Sequence, residues 1–339
     1  MSRKINFAII GCGRIAHRHA EEIKKIGELI AVCDVDEAAG KAFAQTYQTK
    51  FYTCYEKLLE TETLIDVIAV CTPNGLHAKH TIQALNKNYH VLCEKPMAIH
   101  SSDAKKMIEA SEQNKKHLFI VKQNRFNTAV AAVKKALQIN ALGKIYSFQL
   151  SCFWNRNADY YKNNWHGKKQ MDGGTLFTQF SHFIDILQWY LGNVENVHSF
   201  FANQAHKNII EFEDTGVVIL QLSDNILGTL NYTVNSYREN MEGSLTIFGE
   251  KGTVKIGGQY LNTIQYHCID NYTISLQEND DKTANDYGFY KGSMSNHDKV
   301  YANVVDVINN GASITANAYD GLKTVEIIEK IYAAADRNF

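Results

Sequence analysis

A glycine-rich turn, Gly11-Cys12-Gly13-Arg14-Ile15-Ala16, directly follows the apolar run at residues 5–10 and opens a helical pattern. No other feature narrows the fold so far. Gly11 permits the tight turn, Gly13 lets a backbone approach a pyrophosphate, and Ala16 allows close packing of helix on strand. The helix start supplies positive potential for an anion. Asp34 ends the next apolar run, at the distance expected for an acid that binds a ribose. A carboxylate there can bond both ribose hydroxyls and would repel a 2′-phosphate, and Asp36 adds to that repulsion. The expected ligand is a dinucleotide, NAD in preference to NADP.

Short apolar runs continue at residues 29–33, 67–71, 91–93 and 118–121, separated by amphipathic stretches at 17–26, 76–86 and 101–113. Near-continuous apolar runs of this length read as strands buried on both faces. Strand-helix alternation then implies an N-terminal doubly wound parallel sheet of Rossmann type, with ligands at the carboxyl ends of the strands. After about residue 143 the period changes. Tyr146, Phe148, Leu150, Cys152 and Trp154 alternate with Ser147, Gln149 and Ser151, as in a half-buried strand. Further strands are expected at 194–201, 216–222, 226–234, 244–248 and 252–256, with helices at 175–191, 297–309 and 318–336. The chain should therefore hold an α/β domain over residues 1–124 and a mostly antiparallel open-sheet α+β domain over 125–339. The last helix is expected to pack back toward the first domain. One face of the second sheet would need covering, and self-association into a dimer or tetramer is the cheapest cover.

Composition adds exclusions. Lys and Arg total 35 against 36 Asp and Glu, so no global positive field favours nucleic acid or anionic lipid. No apolar run is long enough to span a bilayer and none begins the chain like a signal peptide, so a soluble cytoplasmic protein is expected. The seven cysteines are odd in number and lack zinc-site spacing, so they read as reduced core residues and no metal is expected.

Two strand-end motifs carry the chemistry. Thr72-Pro73-Asn74 offers small side chains and hydrogen bonds near a ribose, with His77 just beyond. Glu94-Lys95-Pro96 places a lysine where apolar walls can desolvate it and lower its pKa. A cis Lys95-Pro96 bond is open at this level. At 100° per residue, Leu176, Phe180, Phe183, Ile184 and Leu187 form one helical stripe, while Thr178, His182 and Asp185 fall nearly opposite. Such a helix would bury its apolar face and turn His182 toward a cleft.

GCGRIA, CTPNGLH, CEKPMA and the glycine-rich turn leading to His182 and Asp185 together resemble the Gfo/Idh/MocA oxidoreductase family over essentially the whole chain. The segments at 121–127 (VKQNRFN), 153–165 (FWNRNADYYKNNW), 172–185 (DGGTLFTQFSHFID), 213–216 (EDTG) and 242–258 look like the branch that oxidises UDP-N-acetylglucosaminuronic acid at its 3-position, in the making of surface-polysaccharide sugars. The resemblance implies that Lys95 contacts the substrate hydroxyl and nicotinamide ribose, and that His182 takes or relays the proton. Many relatives have an aspartate four residues before that histidine and a glycine two before it. Thr178 and Phe180 stand there in this chain, so Lys95 and His182 are expected to share the acid-base work.

The cofactor set so implied is Gly11, Gly13, Arg14, Ile15, Asp34, Thr72, Pro73, Asn74, His77, Glu94, Lys95 and Gln123. The substrate set is Lys95, Asn124, Arg125, Arg156, Tyr160, Tyr161, Trp165, Thr178, Gln179 and His182. A nucleotide sugar acid carries a pyrophosphate and a carboxylate, which suits Arg125, Arg156 and Lys162 among Phe126, Trp154 and the tyrosines. A free sugar, an inositol or another nucleotide sugar would use the same residues. A non-catalytic NAD-binding regulator is the remaining reading, and retention of both Lys95 and His182 weighs against it.

Overall fold

The computed structural model describes residues 3–162, 165–276, 284–286, 288 and 291–335. Asn163 and Asn164 of the 153–165 motif, and Asp336 of the last expected helix, lie outside the described residues. Two compact units are formed: residues 1–121 with 297–325, and residues 122–296 with 326–339.

The first unit begins β1 (Ile5–Ile10), α1 (Arg14–Ile26), β2 (Gly27–Cys33), α2 (Glu37–Tyr47), β3 (Lys50–Tyr52), α3 (Tyr55–Thr61) and β4 (Val67–Val70). It continues α4 (His77–Asn86), β5 (His90–Cys93), α5 (Ser101–Gln113) and β6 (Leu118–Ile120). The strands lie in the order β3-β2-β1-β4-β5-β6, all parallel. Strand order reverses between β1 and β4, the place where such sheets open a crevice for ligands. Ile5, Phe7, Ala8 and Ile9 are wholly buried, as continuous apolar strands between two helix layers must be. Asp36 accepts a hydrogen bond from the Ala39 N–H and caps α2, a local role beyond the charge repulsion expected of it. The edge strand β3 was not expected. It is only three residues, none of them buried, and carries no apolar run to betray it.

The second unit holds α6 (Thr128–Gln138), β7 (Ile145–Phe153), the one-turn helices α7 (Ala158–Tyr161) and α8 (Lys169–Asp172), α9 (Ser181–Leu191) and β8 (Val194–Ala202). Strands β9 (Thr215–Leu222), β10 (Leu227–Thr233), β11 (Glu242–Gly249), β12 (Gly252–Gly257) and β13 (Thr263–Ile269) follow, then the small pair β14 (Ala284–Asp286) and β15 (Lys291–Met294). The seven-stranded sheet runs β13-β12-β11-β7-β10-β9-β8 and is antiparallel except where β10 meets β7. Its inner face packs on α9, where Trp154, Phe180, Phe183 and Tyr232 meet ring to ring. On the outer face Phe200 lies opposite Val217, with Ile219 and Leu227 nearby, each about half exposed in this chain.

The chain then forms α10 (His297–Asn310) and α11 (Ala318–Ala335). The Ala316 carbonyl accepts from Ile120 N–H, and Asn317 bridges to Phe119, so this segment extends the β6 edge of the first unit. The first crossing, at 121/122, falls three residues before the expected 124/125, and 297–325 count with the first unit rather than the second. A helical period reveals an apolar face but not which core receives it. Among the described residues no helix is long and apolar enough to cross a membrane. Cys12, Cys33, Cys71, Cys93 and Cys152 are buried and unpaired, whereas Cys54 and Cys268 are exposed.

Candidate active site

In the first unit the expected residues gather at strand carboxyl ends. Gly11 has φ +95°, and a Cβ there would lie 2.7 Å from the Cys71 carbonyl, so the turn after β1 can pass the end of β4 only as glycine. At Gly13 a Cβ would meet nothing within 4 Å. Gly13 is also the N-cap of α1 and has no side chain to cap the first turn. Open space at a helix start fits a pyrophosphate. Arg14 is exposed and Ile15 half-buried at the same turn.

Asp34 is half-buried and accepts from Cys12 N–H at 2.7 Å and from Asp36 N–H at 2.8 Å. It therefore holds the turn as well as offering its remaining lone pairs to a ribose.

Thr72 follows β4, its hydroxyl 3.1 Å from His80 Nδ1, and Pro73 leads into a short turn with Asn74 buried. His77 has both ring nitrogens on backbone carbonyls. Its Nδ1 lies 2.7 Å from the Pro96 carbonyl and its Nε2 2.8 Å from the Thr72 carbonyl, so the buried ring braces the ends of β4 and β5. Burial lowers its pKa, while the two carbonyls favour the charged ring. Lys95 is half-buried rather than solvated, and the Lys95-Pro96 bond is cis. Glu94 is buried and its Oε2 accepts from Lys95 N–H at 3.0 Å.

The second unit gathers Gln123 to Arg125, Arg156, Tyr160, Tyr161, Trp165, Gln179 and His182, all buried except half-buried Trp165. Both side-chain polar atoms of Asn124, and Oε1 of Gln123, are buried without a hydrogen-bond partner. Orphaned groups of this kind cost about 1–3 kcal/mol each, and a polar ligand would satisfy them.

Arg125 is placed differently from expectation. Its Nε donates to Asp185 Oδ2 at 2.9 Å, its Nη2 to Oδ1 at 2.8 Å, and Lys122 Nζ lies 3.1 Å from the same carboxylate. Burial alone would raise the Asp185 carboxyl, but the Arg125 and Lys122 cations hold it well below the usual carboxylate range. Arg125 also covers the Trp189 ring. The guanidinium that the sequence reading offered to substrate is also part of a buried ion cluster centred on Asp185.

Arg156 donates from Nε to Gln179 Oε1 at 2.7 Å and from Nη1 to Asn240 Oδ1 at 3.1 Å, between the rings of Trp154 and Tyr160. Gln179 in turn donates to the Tyr160 hydroxyl at 2.8 Å. Tyr160 and Tyr161 pack with Ile210 and Phe212. Lys162 pairs with Asp159 at the surface.

The helix carrying His182 corrects the two-faced projection. Residues Leu176–Phe180 form a π-turn that runs into α9, and Phe180 leaves helical geometry at φ −116°, ψ 6°. A uniform 100° step cannot cross such a turn. Ser181 through Gln188 are all buried, His182 and Asp185 among them. The wider π-turn also sets Thr178 beside Asp172, whose Oδ1 accepts its hydroxyl. The Asp172 carboxylate is also anchored by Gly167 N–H at 2.7 Å.

Behind the Gly173-Gly174 turn lies a second buried acid. Glu213 accepts from the Tyr332 hydroxyl at 2.7 Å and the Tyr232 hydroxyl at 3.0 Å. The same Tyr332 oxygen accepts from Leu176 N–H and occupies the space a Cβ at Gly174 would need. Burial pushes the Glu213 carboxyl up to about 7, against the two tyrosine donors. The fold thus favours the protonated acid. Stability from this group is complete below the ordinary carboxyl value and is lost as pH rises to about 7, an effect of roughly 3 kcal/mol. Glu213→Gln should remove that slope and melt higher than the parent at pH 8. Equal losses at pH 5 and pH 8 in thermal unfolding would contradict it.

Family models match both parts of the chain: an oxidoreductase NAD-binding Rossmann fold over residues 5–122 and an oxidoreductase C-terminal alpha/beta domain over 134–338. The WlbA dehydrogenase from Chromobacterium violaceum, solved with NADH and UDP-GlcNAcA, is 35% identical with a TM-score of 0.90, covering 100% of this chain and 95% of that one. The WlbA dehydrogenase from Bordetella pertussis, solved with the same ligands, is 32% identical with a TM-score of 0.89, covering 99% and 98%. Glucose-6-phosphate 3-dehydrogenase from Bacillus subtilis is 27% identical over 258 residues, 73% of each chain.

Proposed function

The chain belongs to the Gfo/Idh/MocA family of NAD-binding oxidoreductases, and from that premise we propose that it oxidises the C3 hydroxyl of a UDP-N-acetylhexosaminuronate. The observation that carries the reading is likeness along the whole chain to two dehydrogenases solved with NADH and UDP-GlcNAcA, at 35% and 32% identity.

NAD, when bound, supplies the hydride acceptor. The turn at Gly11 and Gly13 with the uncapped start of α1 would hold its pyrophosphate, and Asp34 its ribose. Asn124 and Gln123 offer their unsatisfied amides to ligand. In this reading Lys95 fixes the hydroxyl being oxidised and His182 takes its proton, the lysine half-buried and the histidine buried. Removing the proton builds negative charge on that oxygen, which a lysine ammonium stabilises. Arg156 is held in a fixed plane by Gln179 and Asn240, the preorganisation a pyrophosphate or carboxylate receptor requires. Self-association through the outer sheet face at Phe200, Val217, Ile219 and Leu227 completes the proposal. Light scattering on the purified protein reads the resulting mass.

The test is turnover. Purified protein with NAD should reduce cofactor on addition of UDP-N-acetylglucosaminuronic acid, with at least a hundredfold higher kcat/KM than with glucose, glucose 6-phosphate or inositol, because buried cations left without their anion cost several kcal/mol. A parallel arm containing a keto acid detects turnover in which reduced cofactor stays bound. Equal rates with free sugars would move the assignment to another branch of the family.

A further inference from the structure

Beside Lys95 lies a cluster of side chains to which the proposed reaction gives no task. His19 on α1 is wholly buried, with Nε2 3.0 Å from Glu94 Oε1 and Nδ1 2.7 Å from the Tyr301 hydroxyl. His297, which opens α10, is also buried and places Nε2 3.3 Å from the same Glu94 oxygen. Tyr301 follows His297 by four residues, one turn along the same face of α10. The other carboxylate oxygen accepts Lys95 N–H at 3.0 Å.

We propose that His19, His297 and Tyr301 are positioning residues for Lys95: they clamp the Glu94 carboxylate, which in turn anchors the Lys95 backbone. This inference rests on the reading that Lys95 serves the chemistry.

The protons can be placed by elimination. Burial lowers the pKa of His19, so its ring is neutral and carries one N–H. Burial pushes the Tyr301 phenol up, so it keeps its proton. Tyr301 then donates to His19 Nδ1, which leaves the His19 proton on Nε2, aimed at Glu94. His297 Nδ1 is buried without a hydrogen-bond partner. Its proton therefore belongs on Nε2, where the carboxylate accepts it. Burial would raise the Glu94 carboxyl, but the two imidazole donors outweigh it and hold the group well below its ordinary range. Three N–H donors thus converge on one ionised, buried carboxylate, which is what such a charge needs to persist away from water. One tautomer pattern places a proton on each of the three donors that face Glu94.

The arrangement fixes the lysine from its own backbone. A buried carboxylate without its donors would protonate or turn away, and the Lys95 amide would lose its acceptor. The clamp draws on three places in one unit: the helix behind the dinucleotide turn, the end of β5 and the returning helix α10. The donor atoms of His19, Glu94 and His297 also lie within 4.8 Å of one another, so the proposal must be separated from a bound divalent cation.

The experiment uses the full chain with NADH bound. Nitrogen-15 NMR of labelled histidines, assigned with His19→Gln and His297→Gln, should show both rings neutral and protonated on Nε2 between pH 7 and pH 8. In turnover, His297→Leu should lower kcat about ten- to a hundredfold with the KM for nucleotide sugar and the NADH affinity within about threefold, whereas His297→Gln, which keeps a donor near Nε2, should recover to within about threefold of the parent. Equal loss in the Leu and Gln variants, a cationic ring, or one equivalent of tightly bound zinc in the purified protein would overturn the clamp. If Lys95→Met abolishes turnover while His297→Leu leaves kcat unchanged, the clamp fails alone. Full turnover in Lys95→Met overturns the role of Lys95 and this inference together.

Discussion

Lys95→Met should lower turnover about a thousandfold or more while NADH affinity stays within about threefold. The magnitude is that of losing one positioned acid-base group together with the charge it brings to the developing oxyanion. The cofactor should be largely spared because the proposed pyrophosphate and ribose contacts at the Gly11-Gly13 turn and Asp34 are untouched by the change. Methionine keeps the length and apolar stem of the side chain, and Lys95 is only half-buried, so the fold should tolerate the change. Stopped-flow reduction of bound cofactor separates this from slow product release. Unchanged turnover would remove Lys95 from the mechanism.

Asp185→Leu carries the largest expected effect on stability. It takes a shared carboxylate from two buried cations, since Arg125 and Asp185 expose only 1% and 2% of their side chains and Lys122 only 2%. Breaking a buried pair from one side costs about 3–5 kcal/mol, because the remaining charge is left without its counter-ion. Removing all three charges together, as Lys122→Met, Arg125→Met and Asp185→Leu, should recover most of that loss, since well-packed apolar residues often replace buried ion pairs at little cost. Urea unfolding of the single and triple variants reads both. A single variant within about 0.5 kcal/mol of the parent would mean that water reaches the cluster.

These two residues also show how far the sequence can be read. The position of Lys95, two residues past β5, was legible because a parallel sheet makes its strands continuous apolar runs, and the residues just after such a run stand at the ligand end. All five expected strand carboxyl ends in the first unit lie within one residue of those observed, while β3 carried no signal in three partly exposed residues. Arg125 was visible only as charge among aromatics. Its partner Asp185 lies 60 residues away, and no local pattern reports a pairing across that distance. Thr178 shows a different limit: position alone gave no sign that the π-turn sets its hydroxyl on the Asp172 carboxylate. Periodicity assumes a uniform helix, and His182 sits just past the place where the helix is not uniform. Burial, pairing and helix irregularity arise from contacts between distant segments, so they become visible only in three dimensions.

The bond between His19 and Tyr301 joins residues 282 apart. A ribosome that has just released β6 must still translate about 180 more residues before α10 can emerge, roughly ten to forty seconds at ordinary elongation rates. Throughout that interval the nascent sheet stands without the helix that finishes it, and the Glu94 carboxylate has only half its imidazole donors. The hydrogen-bond cluster around Glu94, on which the Lys95 backbone rests, is thus completed late, only after the intervening unit has been synthesised and α10 has emerged.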